Sequence, residues 1–218
     1  MQPSSNPTQT PRRCLAPLAL TALLTCAPTL SQADDPESTR AFVQRECAQC
    51  HGVDGNSIAP AFPKLAGLQH EYLAKQLNDF RSGRRQNEIM APVIETLTAA
   101  QVDDLADYFS RQRRAMGTTY LKGMVPLGRR IYHDGIEERG VPACAGCHKP
   151  DGAGTPRSPL LAGQHSAYVL AQLRAFHSDQ RDNDRARLMR TTAGRMTESD
   201  MIAVSEYIAG MDAIPAQP

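Results

Sequence analysis

Apolar positions recur at helical spacing along this chain, in two sets that match. Two predicted helices each carry an aromatic residue, two aliphatic residues and a phenylalanine on one face: Tyr72, Leu73, Leu77 and Phe80, then Tyr168, Val169, Leu173 and Phe176. No stretch of useful length alternates between apolar and polar residues, as a half-buried strand would. The pattern predicts an all-α protein.

Two capping signals predict further helices. Thr98 and Gln101 have the spacing of a capping box, in which the residue before a helix and the third residue of the helix exchange hydrogen bonds between side chain and backbone. Thr197 and Asp200 have the same spacing. The helices that follow have apolar faces, formed by Val102, Leu105, Ala106 and Phe109 in the first and by Met201, Val204 and Ile208 in the second. Shorter helices are predicted over 37–46 and 128–133.

The matching sets belong to an internal duplication. The loop at 63–67 recurs at 159–163, an offset of 96 positions, and Met90 recurs as Met189, an offset of 99, because three extra residues lie near 181–187. The sequence predicts two tandem domains, at 34–112 and 127–218, joined by a linker at 113–126. In domains this small, apolar side chains alone make a marginal core.

Residues 1–33 have the order of a secretory signal peptide. Two arginines precede an apolar run at 14–30, and a small-residue cleavage site ends at Ala33. A membrane anchor is one alternative, because the run is near the lower length of a spanning helix, but two prolines in the run disfavour it. A lipid tether at Cys26 is another, although Thr25 fits a lipoprotein signal poorly. We expect cleavage and a periplasmic protein, either free or peripherally attached to the membrane.

Two nearly identical pentapeptides carry the chemistry: Cys47-Ala48-Gln49-Cys50-His51 and Cys144-Ala145-Gly146-Cys147-His148. Cys-x-x-Cys-His is the attachment signature of c-type haem. The thiols add to the two vinyl groups of the porphyrin, and the histidine is the proximal iron ligand. A bare Cys-x-x-Cys would also suit a redox disulfide or a zinc half-site. The added histidine, present twice, indicates two covalent haem c groups, each of which would supply its domain with an apolar centre.

Composition narrows the alternatives. The six cysteines comprise these four plus Cys14 and Cys26 of the predicted signal peptide, so no thiol remains for a structural disulfide. The formal net charge of +1 gives no sign of a basic nucleic-acid-binding surface.

The sixth position on each iron separates a carrier from a catalyst. Met90 and Met189 occupy equivalent places, each after an apolar residue, and methionine is a usual second ligand of haem c. Most methionines are core filler, but these two persist while their neighbours differ. With His51 and Met90 on one iron and His148 and Met189 on the other, no position remains for a substrate. The sites therefore suit electron transfer.

The surroundings of the ligands are predicted with less detail. A ligating imidazole normally donates its second N–H to a carbonyl, and Pro63 and Pro159 are the candidate acceptors, unless they only shape their loops. The remaining histidines are predicted to be solvated: His70, His133, His165 and His177. Four arginines are predicted to be solvated or to pair with haem propionates: Arg84, Arg85, Arg181 and Arg185.

The whole predicted mature chain resembles the di-haem class I cytochromes c, most closely the cytochrome c4 family. The resemblance rests on the two haem motifs and their following residues, and on the segments at 62–67, 140–144, 161–165 and 182–184. It implies two tandem class I cytochrome c domains packed with pseudo-two-fold symmetry, with His51, Met90, His148 and Met189 as iron ligands. It also implies a periplasmic carrier that takes electrons from a cytochrome or quinol-oxidising complex and passes them in a respiratory chain to a terminal oxidase.

Two other functions remain open at this point. The chain could be the haem subunit of a larger dehydrogenase, such as a flavocytochrome c. A di-haem peroxidase would need one open iron and is usually a longer chain. The leading prediction is a protein that is not an enzyme and has no small-molecule substrate.

We predict unequal reduction potentials for the two haems. Pro92 lies directly behind Met90-Ala91 without a counterpart in the second half, the insertion near 181–187 is strongly charged, and Arg40 lies near the place where the second half has Gly128. A redox titration of the holoprotein should need two Nernst components. A single component that fits both haems would contradict the prediction.

Overall fold

The computed structural model describes residues 36–95 and 97–212, and the predicted signal peptide at 1–33 lies outside them. The first half contains α1 Pro36–Phe42, α2 Ala48–His51, α3 His70–Arg81, α4 Met90–Glu95 and α5 Ala99–Ser110. The second half contains α6 Val125–Asp134, α7 Ala145–His148, α8 Ser166–His177, α9 Leu188–Ala193 and α10 Glu198–Ala209. Within the described ranges there is no strand, which confirms the all-α prediction, and no helix long and apolar enough to cross a membrane.

The two haem motifs are reached by different routes. Helix α1 continues through a π-helical turn, Val43–Cys47, directly into α2. Helix α6 instead ends at Asp134 and is followed by Gly135, and a loop containing a 3-10 turn, Glu137–Arg139, leads to α7. Gly135 has φ of 78°, and a Cβ there would overlap the carbonyl oxygen of Val141. Only glycine suits this tight reversal, which the first half lacks.

Both predicted capping boxes are present. The Thr98 backbone N–H donates to Oε1 of Gln101 at 2.9 Å, and the Gln101 N–H donates back to Oγ1 of Thr98 at 3.2 Å. Thr197 and Asp200 bond in the same way at the start of α10. The apolar faces predicted for these helices are buried, each residue being at most 4% exposed: Val102, Leu105, Ala106 and Phe109, and Met201, Val204 and Ile208.

Helices α6 and α10 cross at Gly128. A Cβ at this position would overlap the carbonyl oxygen of Ala203 and lie 2.6 Å from its carbonyl carbon. The missing side chain lets the two backbones touch, and Tyr132, one turn later, is fully buried. In the first half Arg40 is exposed, and Val43 is the fully buried residue of the entering helix. Helix α6 begins at Val125, inside the last two residues of the predicted linker.

We predict that Gly128→Ala destabilises the holoprotein by about 3 kcal/mol, because overpacking against a backbone carbonyl outweighs the roughly 1 kcal/mol by which alanine favours a helix. Denaturant titration followed by haem absorption measures the change. Gly123→Ala is the matched control, since a Cβ at Gly123 meets nothing within 4 Å. Equal unfolding midpoints for the two variants would contradict the prediction.

Candidate haem sites

His51 and His148 close the short helices α2 and α7, and both are buried, with 6% and 8% of their surfaces exposed. Nδ1 of His51 lies 2.9 Å from the carbonyl oxygen of Pro63, and Nδ1 of His148 lies 3.0 Å from that of Pro159. A carbonyl can only accept, so Nδ1 carries the hydrogen and Nε2 keeps its lone pair. Burial lowers the pKa of both imidazoles, which keeps them in the neutral form that binds a metal. The two rings therefore fit haem iron.

The thiols of both motifs are unbridged and lie on the turns that carry the histidines. Burial raises the pKa of Cys47 to about 11, and the charge of Glu46 acts in the same direction. Burial also raises the pKa of Cys144 to about 11. The thiols of Cys47 and Cys144 are therefore protonated at neutral pH, and with their partners in each motif they would hold the haem through thioether bonds.

A glycine carbonyl closes the loop after each motif. The carbonyl of Gly55 accepts from the backbone N–H groups of Leu65 and Ala66 at 2.7 and 3.1 Å, and Gly152 closes the second loop in the same way. Gly55 has φ of 74°, and a Cβ there would lie 2.7 Å from the nitrogen of Ala66 and 2.8 Å from a ring carbon of Phe109. This closure brings each proline carbonyl to its histidine.

Tyrosines anchor both motifs, but from different helices. In the first half the hydroxyl of Tyr108, on α5, donates to the carbonyl of Val53 at 2.8 Å. In the second half the hydroxyl of Tyr132, on α6, donates to the carbonyl of Lys149 at 2.8 Å. Sequence matching pairs Tyr108 with Tyr207 instead, so it could not identify Tyr132 as the counterpart.

Met90 and Met189 lie at the beginning of α4 and α9, half-buried and packed against the core. Oδ1 of Asn87 accepts from the Met90 N–H at 3.0 Å and holds the start of α4. The buried residues that follow, Ile94 and Ala193, are equivalent by the same offset. The two thioethers are thus held in matching places, and their role as iron ligands stays a prediction.

Comparison with known proteins agrees with this arrangement. The cytochrome c family profile matches residues 37–112 and 126–212. Cytochrome c4 of Thiocapsa roseopersicina is 40% identical over 183 residues, which cover 83% of this chain and 94% of that protein. The chain belongs to the cytochrome c4 family. It therefore carries two covalent haem c groups, one on Cys47 and Cys50 and one on Cys144 and Cys147, and it is an electron-transfer protein rather than an enzyme.

Two further relatives extend the comparison. The crystal structure of reduced cytochrome c4 from Pseudomonas stutzeri superimposes with a TM-score of 0.77 at 37% identity, covering 82% of this chain and 99% of that one. This match confirms the two-domain cytochrome c fold. A thiosulfate dehydrogenase electron acceptor of Thiomonas intermedia is 36% identical over 94% of both chains.

The two cytochrome c domains meet through a polar cluster between α3 and α8. Arg85 donates from Nη1 to Oε1 of Gln76 at 2.9 Å, within its own domain. Its Nη2 crosses to the other domain, reaching the Tyr168 hydroxyl and Oε1 of Gln172 at 3.0 Å each. The guanidinium also lies over the ring of Phe80, 4.6 Å from its centre. Arg85 is therefore a structural link between the domains.

Arg181 makes the reciprocal set of contacts. Its Nη1 donates to Gln172 at 2.7 Å, and its Nη2 crosses to the Tyr72 hydroxyl at 3.2 Å and to Gln76 at 3.0 Å. It lies over Phe176, as Arg85 lies over Phe80. This exchange of partners is what a pseudo-two-fold axis requires, and it confirms the predicted symmetry.

The prediction of a solvated side chain is wrong for two of the four arginines. Arg85 and Arg181 bond to protein acceptors at the domain contact, and Arg181 is buried. Arg84 is exposed and pairs with the buried Asp79 at 2.9 Å, and Arg185 is exposed. The partial burial of Arg85 and the burial of Arg181 could not be inferred from sequence, because their acceptors lie on two different helices.

Two glutamines form a second link between the domains. Gln69 donates to the carbonyl of Ala153 at 2.6 Å and accepts from the Leu160 N–H at 3.0 Å. Gln164 donates to the carbonyl of Lys64 and accepts from its N–H, both at 2.9 Å. Each glutamine therefore holds the loop of the other domain that carries the proline bonded to the proximal histidine.

The prediction that the remaining histidines are solvated is wrong for His165. Nε2 of His165 lies 2.9 Å from both the hydroxyl and the carbonyl oxygen of Ser57, across the domain contact. Gln69, at the equivalent position in the first half, bonds to Ala153 in the corresponding loop of the second half. The change from glutamine to histidine hid this relationship in the sequence. The other three also have partners: Asp103 for His70, Tyr207 for His133 and Ala193 for His177.

We predict that Arg181→Gln destabilises the holoprotein by about 2–4 kcal/mol, because the buried Gln76 and the half-buried Tyr72 and Gln172 lose a charged donor. Denaturant unfolding followed at both haems should show loss of coupling between the domains. The control is Arg174→Gln, which removes an exposed arginine paired with Glu198 and should leave the midpoint essentially unchanged. Similar midpoints for the two variants would show that the cluster does not couple the domains.

Proposed function

We propose that this cytochrome is a periplasmic electron carrier of a respiratory chain, with His51 and Met90 on one iron and His148 and Met189 on the other. The observation that carries the proposal is the pair of buried imidazoles, each with Nδ1 bonded to a proline carbonyl and Nε2 left available. When bound, each haem supplies a one-electron ferric–ferrous couple.

The chain's own groups support this role. The proline carbonyls fix both ring orientation and tautomer, so the proximal ligand does not reorganise between oxidation states. A neutral thioether favours ferrous iron and raises the reduction potential. Two ligands from the protein on each iron would leave no coordination position for peroxide or oxygen.

The cellular setting belongs to the same proposal. Residues 1–33 would direct export and be cleaved, leaving domains at 34–112 and 127–218 joined by the linker at 113–126. A cytochrome or quinol-oxidising complex would be the donor and a terminal oxidase the acceptor, with the carrier free or peripherally attached to the membrane. The family resemblance supports these partners.

Loss of either methionine tests the ligand assignment. In Met90→Ala and Met189→Ala, one of the two irons should become high-spin, and the long-wavelength methionine-to-ferric band should fall to about half, because one sulfur ligand of two is removed. The wild type should be fully low-spin with two haems per chain. Optical spectra in both oxidation states, with haem quantified per chain, measure this.

Met116→Ala is the control, because Met116 is exposed and has no counterpart in the other half. Its spectrum should match the wild type. A wild-type protein with a high-spin fraction would refute the pure-carrier proposal, and peroxide turnover would then need testing.

A second candidate function is electron acceptor for a dehydrogenase. It is favoured by the relative from Thiomonas intermedia, which is named as the acceptor of thiosulfate dehydrogenase and aligns over 94% of both chains. Stopped-flow reduction by a thiosulfate dehydrogenase with thiosulfate should then be faster than reduction by a quinol-oxidising complex. The reverse order would favour the respiratory donor.

A further inference from the structure

The segment that joins the two halves carries positive charge that no neighbouring carboxylate balances. Between Asp107 and Asp134 the chain has six lysine and arginine residues and no aspartate or glutamate. Of the six, Arg114 is buried and Arg111 pairs with Asp107. The other four are exposed, and none of them forms an ion pair within residues 36–95 and 97–212: Arg113, Lys122, Arg129 and Arg130.

The same segment exposes large apolar side chains. Tyr120 and Leu121 are 62% and 52% exposed, and Met116 is exposed as well. These three account for three of the seven exposed large apolar residues in the described part of the chain, although they lie within six positions of one another. Apolar residues scattered singly are normal on a protein surface, whereas a group of them indicates a surface that contacts another body.

A buried carboxylate fixes the backbone on which these side chains stand. Glu206, on α10, is buried, and its Oε2 accepts from the backbone N–H groups of Tyr120 and Leu121 at 2.7 and 3.0 Å. The Thr119 hydroxyl donates to the backbone carbonyl of Glu206 at 3.1 Å. Tyr120 and Leu121 are therefore exposed on a backbone that is held in place by hydrogen bonds to α10.

Helix α6 continues the basic surface. The 3-10 turn Lys122–Met124 leads directly into α6, which packs Gly128 and Tyr132 against α10 and leaves Arg129 and Arg130 exposed. A groove of about 250 Å³ lies on the exposed side of the helix, lined by Arg129, Arg130, His133 and Asp134. Two guanidinium groups and one carboxylate face this groove, and arginine is the residue best suited to bind phosphate.

We propose that the segment from Met116 to Arg130, which we call the linker–α6 strip, binds a bilayer that contains anionic phospholipids. Tyr120 and Leu121 enter the headgroup region, while Lys122, Arg129 and Arg130 bind lipid phosphates. The inference rests on the proposed periplasmic location, where the carrier meets a membrane surface. A protein that exchanges electrons must approach a haem, and no predicted haem ligand belongs to the strip, so a bilayer is the favoured occupant.

Sedimentation of the holoprotein with vesicles tests the proposal, with the bound fraction measured by haem absorbance. The wild type should bind vesicles of phosphatidylglycerol and phosphatidylcholine, should bind vesicles of phosphatidylcholine alone much less, and should be released by salt. Arg130→Gln should lower the partition coefficient about fivefold, the contribution of one basic residue near an anionic surface. Leu121→Ser should lower it by a similar factor, roughly fivefold, because less apolar surface leaves water.

Each variant has a matched control outside the strip. Arg157→Gln removes another exposed arginine of the second half that has no ion pair among the described residues, and Ile58→Ser removes an apolar side chain that is 96% exposed in the first half. Both controls should bind as the wild type does. Equal thermal midpoints for all four variants show that a loss of binding is not a loss of folding.

Two results would overturn the proposal. The first is a wild type that does not prefer anionic vesicles, or strip variants that bind as well as their controls. The second is a wild type that ignores vesicles while Arg130→Gln slows its reduction by a redox partner, because the strip would then be a protein-docking surface.

Optical spectra of the same samples separate this proposal from the carrier function. A fully low-spin wild type that does not bind vesicles refutes the linker–α6 strip and leaves the carrier function intact. A high-spin fraction together with binding that depends on the strip refutes the pure carrier and supports the strip.

Discussion

In each half of this molecule, a buried histidine gives the hydrogen on Nδ1 to a proline carbonyl, at 2.9 and 3.0 Å. The bond fixes which nitrogen faces the haem and how the ring is turned, and it requires that a loop bring the carbonyl to the ring. The hydrogen bonds that close the loops at Gly55 and Gly152 bring the carbonyls there, and the tyrosine hydroxyls bond to the backbone just after each motif. Much of each small domain is thus arranged around one ring orientation.

The features that depend on local sequence could be predicted. A capping box such as Thr98 with Gln101 needs only residues three positions apart, and the helical faces follow from a period of 3.6. The acceptor carbonyls of Pro63 and Pro159 could be proposed because the duplication places both prolines in the loop after a motif, 12 and 11 residues beyond the histidine. Comparing the two halves of one chain therefore identifies matching residues, as a comparison between related chains would.

The domain contact could not be predicted in the same way. Arg85 and Arg181 are charged residues near the ends of amphipathic helices, which usually means solvent exposure, and their place at the domain contact depends on acceptors 83 to 109 positions away. The glutamine links were hidden by a shift of one position: Gln69 matches His165, whereas Gln164 matches Leu68. A polar side chain becomes structural through partners that no local pattern specifies. Polar contacts of this kind fix one relative orientation of the domains more narrowly than an apolar surface does.

The reciprocal arginine cluster makes substitutions in one half depend on residues in the other half. Arg85 needs Tyr168 and Gln172, and Arg181 needs Tyr72 and Gln76, so each half contains the acceptors for the other's cation. A half exchanged for that of another protein must bring its own arginine, tyrosine and glutamine at matching places, or a guanidinium at the domain contact loses its partners. The two copies can therefore diverge at their outer surfaces, but at this domain contact they can change only as a pair.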